Sequence, residues 1–577
     1  MTKDFRRSIA DHLPTAAAWS LLLLLWVTNL PLFLCMPPID DAVLFDLHVR
    51  EILSGGVPYR EVLETNPPAM LFLMGGTRWL LGDSSVALRA VDLAIFSLVV
   101  LLAVTWMKDT GVSRPVRVWA ALACYVFYFS QSEWCHCQRD MWLLAPALAV
   151  LCLRGRQIAR WNLCASFPGT VFRWAVLEGL VLGLGMWLKP MLILPVGATW
   201  LVGLKWSRRW QIVVVDALGL VLGVGIAAAA GVMWLVGTGA WPYFVDTFLS
   251  WNPGYVAAGR QHWTRMRFLG SVTRLSPWYF VHLPALGFAA MSLGKLLARK
   301  AAQTDSRIEE PTEVPLALSA AFYAGWLVQA FFLQHLFDYV QAPGVLLALI
   351  ICIVAAWHRL FAARRFWILA SLFFCLALAM SPIVRGDRLG CWWTCVTQGS
   401  TPEVRDRLRL LTLPDWRDLD RVAGYLRAQR IGDGELVCFN TSTIHLYWEL
   451  GIRPATRYVY LENCLVFFPE RTDQMLAEVA ASAPRFIVSD LVAAGVPRAS
   501  LDLLSVGFRS PSQLAGSAPL FPWSQPIVFR AGRYAVHRVE GPLGRPAPIL
   551  EGWGTAQERR PSERQISSPA RLGEMGR

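Results

Sequence analysis

The chain has 577 residues, 55% of them hydrophobic and 16% charged, with a mean hydropathy of +0.42. Soluble proteins carry about 25% charged residues, so this composition excludes an ordinary soluble enzyme and points to a polytopic membrane protein. The net charge of +13 does not describe a nucleic-acid-binding surface, because the Lys and Arg residues fall in short clusters between apolar runs, where cytoplasmic loops gather them.

In chain order, Lys3, Arg6 and Arg7 precede an apolar run from Thr15 to Met36. It is long and lacks a small-residue cleavage site, which predicts an uncleaved first span with the N-terminus in the cytoplasm. Residues 36–85 follow as a first outer loop. They hold the adjacent carboxylates Asp40 and Asp41, an amphipathic run ending at Gly55-Gly56, the Pro58-Tyr59 turn, and Glu64 two residues ahead of Asn66-Pro67-Pro68. Helix, glycine stop and diproline restart predict an ordered segment with in-plane helices. The apolar run Pro67 to Leu81 is short for a crossing, and treating it as one would put every later basic loop outside.

With that run lying in plane, the alternation is regular. Val86 to Met107, Val118 to Ser130, Met141 to Leu153, Trp174 to Leu188, Met191 to Leu204 and Ile212 to Val236 read as spans, followed by a long loop from Gly237 to Arg274. Pro277 to Leu297, Leu316 to Leu333, Ala342 to Trp357 and Phe366 to Ser381 complete about eleven spans. The expected fold is therefore an α-helical polytopic membrane domain over 1–384, with the chain leaving it on the extracytoplasmic side of the cell (inner) membrane. Beyond Pro382 the composition turns soluble. Helical patterns at Asp415 to Gln429 and Thr472 to Ala481, with strand-like runs at Glu435 to Phe439 and Arg485 to Ser489, predict a small α/β extracytoplasmic domain over 385–540. The tail 541–577, rich in Pro, Gly, Arg and Ser, is expected to be disordered. The twelve cysteines are scattered, with Cys35, Cys124, Cys352 and Cys375 inside apolar segments, and no disulfide framework can be read from them. Cys135-His136-Cys137 are too close together to converge readily on one tetrahedral ion.

This topology rests on Lys and Arg alone, yet it sends a second set of residues to one face. Asp40, Asp41 and Glu64 lie outside, as do Gln138-Arg139-Asp140, the Lys189-Pro190 corner, Arg260-Gln261-His262, Arg265, and Gln334-His335 to Asp338-Tyr339. Each has a plain structural account. Asp40 or Asp41 caps a helix, Lys189 snorkels, His262 is a surface histidine, Tyr339 belongs to the aromatic belt, and Arg139-Asp140 is a local ion pair. Their convergence on one side suits group transfer from an anionic lipid. Lys189, Arg139 or Arg265 would neutralise its phosphate, and Asp41, on an ordered loop, would take the proton from an attacking hydroxyl.

Over residues 1–384 these motifs resemble the GT-C glycosyltransferases, the polyprenyl-phosphate-sugar-dependent membrane enzymes that include protein O-mannosyltransferases, the lipid A aminoarabinose transferase and the RgtA/B/C/D-like group. In that family an acidic pair follows the first span, and Asp40-Asp41 stands there, ahead of Arg50-Glu51-Ile52-Leu53, Gly55-Gly56 and Pro58-Tyr59. Glu64-Thr65-Asn66-Pro67-Pro68 is similar to the family's acid-diproline stretch, with Asn66 where relatives often have a phosphate-contacting lysine. Asp140 resembles the aspartate that opens a later span, Gly183 to Pro190 the glycine-rich segment closing on Lys-Pro, and Asp338 to Pro343 the Tyr-x-x-Pro pattern, with one residue more before the proline.

The resemblance implies an inverting transfer of a sugar from undecaprenyl- or dolichyl-phosphate to a hydroxyl of a lipid, glycan or protein acceptor at the extracytoplasmic face. Asp41, in preference to Asp40, would be the general base and Asp140 a further catalytic carboxylate. Glu64, Arg139, Lys189, Arg265 and Tyr339 would contact substrate. Some members bind a divalent metal ion and others need none; Glu64 and His262 are the ligands this would imply. A lipid or polysaccharide transporter is the alternative from another class, but such proteins show paired half-repeats and ionisable residues at the bilayer midplane, and neither is visible. A non-catalytic GT-C-like assembly partner is the other alternative, prompted by Asn66.

Overall fold

The structure is a computed structural model and describes residues 15–163, 168–206, 209–261, 264–298, 313–359, 364–493, 521–541 and 543. Most of the 541–577 tail therefore lies outside the described residues, and so does His262.

In lipid every backbone donor must find its partner within its own segment, which is why the apolar runs become helices. Helix α1 (Thr15–Cys35) leads into the first loop, which carries α2 (Asp40–Leu53) and α3 (Ala69–Leu81). The bundle continues with α4 (Ser85–Asp109), α5 (Arg114–Ser130), α6 (Arg139–Leu163), α7 (Pro168–Leu188), α8 (Ile193–Gly203) and α9 (Trp210–Gly237). What hydropathy reads as a long loop is helical: α10 (Trp241–Asp246), a π turn, α11 (Asn252–Gln261) and α12 (Arg265–Arg274). Then come α13 (His282–Ala298), α14 (Glu313–Phe332), α15 (Asp338–Arg359) and α16 (Arg364–Met380).

Every run read as a span falls on a helix. Eight of the described helices (α1, α4, α6, α7, α9, α13, α14 and α15) are long and apolar enough to cross a membrane; α5, with Arg114 and Arg117 in its first turn, and the short α8 and α16 fall below that measure. The chain is an integral membrane protein. Pro67 to Leu81 yields the 13-residue α3, which at 1.5 Å per residue spans roughly 20 Å, less than the ~30 Å hydrocarbon core.

Two devices hold the bundle without water to drive association. Helices α7 and α9 approach backbone to backbone: a Cβ at Gly179 would lie 2.3 Å from the Leu220 carbonyl oxygen, and one at Gly223 2.2 Å from that of Val176. Beside them Arg154 of α6 bridges Glu178 of α7 and Asp216 of α9, at 2.9 Å to each. Trp200 of α8 donates to the same Asp216 at 2.9 Å.

After α16 the chain crosses the end of α1 as α17 (Gly386–Leu389), α18 (Trp392–Gln398) and α19 (Pro402–Leu408). It then builds a layered α/β unit: α20 (Trp416–Ala428), β1 (Leu436–Cys438), α21 (His445–Leu450), α22 (Leu461–Phe467), α23 (Thr472–Ala481), β2 (Phe486–Asp490), β3 (Ile527–Ala531) and β4 (Tyr534–Arg538). The sheet order is β1-β2-β4-β3. β1 runs parallel to β2, with Leu436 opposite Phe486, and β4 is antiparallel to both β2 and β3.

Helix α2 lies between the two units, and this decides the position of its carboxylates. Val43, Leu44 and Leu47 join the sheet's core beside Leu419, Val488 and Val536. Ala42, Phe45 and Val49 join the bundle core with Met70 and Met74. The run read as amphipathic is buried along both of these faces.

Candidate active site

At the end of the bundle that carries α2, a cavity of about 130 Å³ is lined by Asp40 and Asp41, by Glu64 and Asn66, by Arg139 and Tyr339, and by Tyr460 and Asn463. The first turn of α2 supplies the two aspartates. The residue before the helix is Ile39, whose side chain caps nothing, so neither aspartate is spent as an N-cap. Both instead sit where the helix dipole favours negative charge. Asp41 is held at both oxygens: Gln138 Nε2 donates to Oδ2 at 2.8 Å and Tyr460 Oη to Oδ1 at 3.1 Å.

Glu64 is reached through a tight loop. Gly55, at φ +85°, ends α2. Tyr59, a non-glycine residue at φ 66°, is tied down by its backbone N–H donating to His48 Nε2 at 3.0 Å and by its hydroxyl donating to the Asn66 carbonyl at 2.7 Å. A left-handed residue costs about 1–2 kcal/mol, and these two bonds offset it. Asn66 then turns back on Glu64: its backbone N–H donates to Oε1 at 2.9 Å and its side-chain amide to the same oxygen. Oε2 has no hydrogen-bond partner among the described residues although Glu64 is 2% exposed. Burial pushes the carboxyl up to about 7, against the pull of Arg139 and Asn66, and Asp41 adds to the rise.

Arg139 opens α6 and lines the same cavity, with its guanidinium 5.6 Å from the Phe45 ring centre. It too is buried, and its Nε and Nη1 have no hydrogen-bond partner among the described residues. A buried cation and a buried carboxylic acid with unused polar atoms, sharing one cavity, make a place for a ligand that brings acceptor oxygens.

Asp140, one residue on, does not pair with Arg139. Consecutive helical residues point about 100° apart, and Asp140 meets Lys189 beyond α7, whose Nζ donates at 2.7 and 2.8 Å to its two oxygens and also to Gln334. This cluster adjoins the cavity without lining it. Arg265 is exposed on α12, and its neighbour Arg267 reaches the cavity instead. Tyr255, His335 and Arg267 complete the wall. Of the lining groups, Tyr460, Asn463, Tyr255 and Arg267 were not singled out by sequence. The run Tyr458 to Asn463, aromatic and amphipathic inside an otherwise soluble stretch, was the available signal. Among the described residues no three His, Cys, Asp or Glu side chains gather as metal ligands, so the metal set implied for Glu64 is not assembled from them, and His262 lies outside them.

The raised Glu64 carboxyl gives a stability prediction with a definite sign. From about pH 4.5, its ordinary value, to about 7, the folded chain keeps a proton that the unfolded chain has lost. Stability should therefore fall as pH rises through that window, by on the order of 3 kcal/mol, and level off above it. Thermal unfolding in detergent from pH 4.5 to 8 measures this; in Glu64→Gln the fall should be smaller by about that amount.

The helical bundle joined to a small α/β unit is a fold that this chain shares with a solved structure. ArnT from Cupriavidus metallidurans bound to undecaprenyl phosphate is similar over 92% of this chain and 99% of its own, with a TM-score of 0.50 and 14% sequence identity. Apo ArnT from the same organism gives 0.46 at 15% identity, over 90% of this chain and 98% of its own. The oligosaccharyltransferase AglB from Archaeoglobus fulgidus, in complex with an inhibitory peptide and a dolichol-phosphate, gives 0.47 at 12%, over 83% of this chain and 70% of its own. At 14% identity the likeness to the undecaprenyl-phosphate-bound ArnT is one of fold. No family model matches the chain, and no curated protein matches it in sequence.

Proposed function

We propose that the chain is a glycosyltransferase that moves a sugar from a polyprenyl-phosphate donor to the hydroxyl of a lipid, glycan or protein acceptor at the extracytoplasmic face of the cell membrane. What carries this reading is the cavity that Arg139, with two donors unpartnered among the described residues, shares with Asp41 and the half-bonded Glu64. The undecaprenyl phosphate bound to ArnT, a protein of the same fold, supports a donor of that kind. The clusters of Lys and Arg between spans support a cytoplasmic N-terminus, with the first loop and the α/β domain (385–540) outside.

In this reading the donor slides in from the bilayer with its tail among the apolar helices, and Arg139 takes its phosphate. Asp41, fixed by Gln138 and Tyr460, accepts the proton of the acceptor hydroxyl as its oxygen bonds to the anomeric carbon. The bond from that carbon to the phosphate oxygen breaks on the opposite side and inverts the centre, and the electron pair stays on the departing polyprenyl phosphate, whose added negative charge the guanidinium stabilises. A protonated Glu64 spares the phosphate a second negative neighbour. Asp140 holds Lys189 and with it the geometry of Arg139, while Tyr339 and the 385–540 domain wall the site.

The reconstituted protein should bind undecaprenyl phosphate and not undecaprenol, since the phosphate is what Arg139 recognises. Cells lacking the protein should lose one sugar from a surface glycan, lipid or protein. Equal binding of alcohol and phosphate would overturn the reading; phosphate binding without any lost sugar would leave a non-catalytic partner.

A further inference from the structure

We infer that Cys35 and Cys395 are joined by a disulfide in the mature protein, stapling the end of the first span to the segment that follows the last. Cys35 is the final residue of α1 and Cys395 lies on α18. The two elements are clamped together from both sides of the pair. Trp392 Nε1 donates to the Val27 carbonyl and Ser400 Oγ to the Cys35 carbonyl, each at 2.9 Å. Between these clamps Cys35 Sγ lies 3.6 Å from the Cys395 carbonyl oxygen, with both cysteines present as thiols. Both residues are buried, at 4% and 5% exposure. Cys391, one turn earlier, is occupied within its own turn, its thiol donating to the Asp387 carbonyl at 3.5 Å.

A disulfide needs two cysteines brought together with little backbone movement, and a buried thiol held against the backbone of the second cysteine favours it. The orientation proposed above places them in the oxidising compartment, where such bonds persist, and the inference rests on it. One thiolate attacks the disulfide of an extracytoplasmic thiol oxidase, and the second displaces that mixed disulfide. The pair gives up two protons and two electrons, and the oxidase leaves as its dithiol. Since only Met36 to Ile39 separate Cys35 from Asp40, the staple anchors the entry to the carboxylate-bearing helix.

The test uses full-length protein in membranes. Free thiols are alkylated in denaturant without reductant, the protein is then reduced and labelled with a heavier maleimide, and peptides are read by mass spectrometry. Cys35 and Cys395 should carry only the heavy label, a Cys35–Cys395 cross-linked peptide should be found before reduction, Cys391→Ser should retain it, and Cys35→Ser should leave Cys395 light. Light label on both, or a bond from Cys35 to Cys391, overturns the staple. Copper phenanthroline on native membranes then tells two failures apart. Light-labelled thiols that it joins are correctly placed but on the reducing side, which also counts against the proposed orientation. Thiols it fails to join refute the staple alone and leave the proposed function standing.

Discussion

Replacing Asp41 with Asn is expected to lower sugar transfer by about 10²–10⁴-fold while leaving the fold intact. The carboxylate sits between two donors, Gln138 Nε2 and Tyr460 Oη. An asparagine keeps the shape and one acceptor oxygen; its amide nitrogen can face the tyrosine hydroxyl, which rotates to accept. What disappears is the basic site for the acceptor's proton. Asp40 lines the same cavity from the same helical turn, so the double variant sets the floor. Transfer from a radiolabelled lipid donor, with the unfolding temperature as a folding control, measures the effect. Unimpaired transfer by the double variant would remove Asp41 from the mechanism.

Changing Arg139 to Met should weaken undecaprenyl phosphate binding by about 10–100-fold, the loss of one hydrogen-bonded charge contact worth about 1.5–3 kcal/mol. Lysine should restore little, because one ammonium cannot reproduce a guanidinium fork. The change should also reach Glu64: Arg139 opposes the rise of its carboxyl, so without the cation Glu64 holds its proton to higher pH, and residual binding should lose its pH dependence near neutrality. Arg265→Met, on the exposed side of α12, should bind like the parent. The reverse pattern, with Arg265 needed and Arg139 dispensable, would place the phosphate elsewhere.

The bundle was largely readable from hydropathy because the bilayer leaves the backbone few choices. Length and charge alone located α1, α4, α6, α7 and α9, and showed α3 as too short to cross. The Lys and Arg clusters predicted one side of the membrane for Asp40, Asp41, Glu64, Arg139 and Tyr339, and the five line one cavity. Which cation keeps nitrogens without a hydrogen-bond partner among the described residues did not follow from them, because Arg139 and Lys189 differ only in what surrounds them. Asp140 takes Lys189 because of where α7 ends, a tertiary fact with no trace in either motif. Nor was the wall from the α/β unit readable, since Tyr460 meets Asp41 only through long-range docking. The β3–β4 hairpin was missed because a bulge between Ile527 and Phe529 breaks the alternation that marks a strand. Helices α10 to α12 were hidden by their mixed polarity.

Because α2 contributes one flank to the bundle's core and the other to the sheet's, the soluble region is not a detachable module. Excising it would lay Val43, Leu44 and Leu47 open to water and leave the helix that bears Asp41 with half of its support. Chimeras that exchange this region between related chains must therefore carry α2 along with it, and anything that presses on the sheet is felt at the carboxylate proposed as the base.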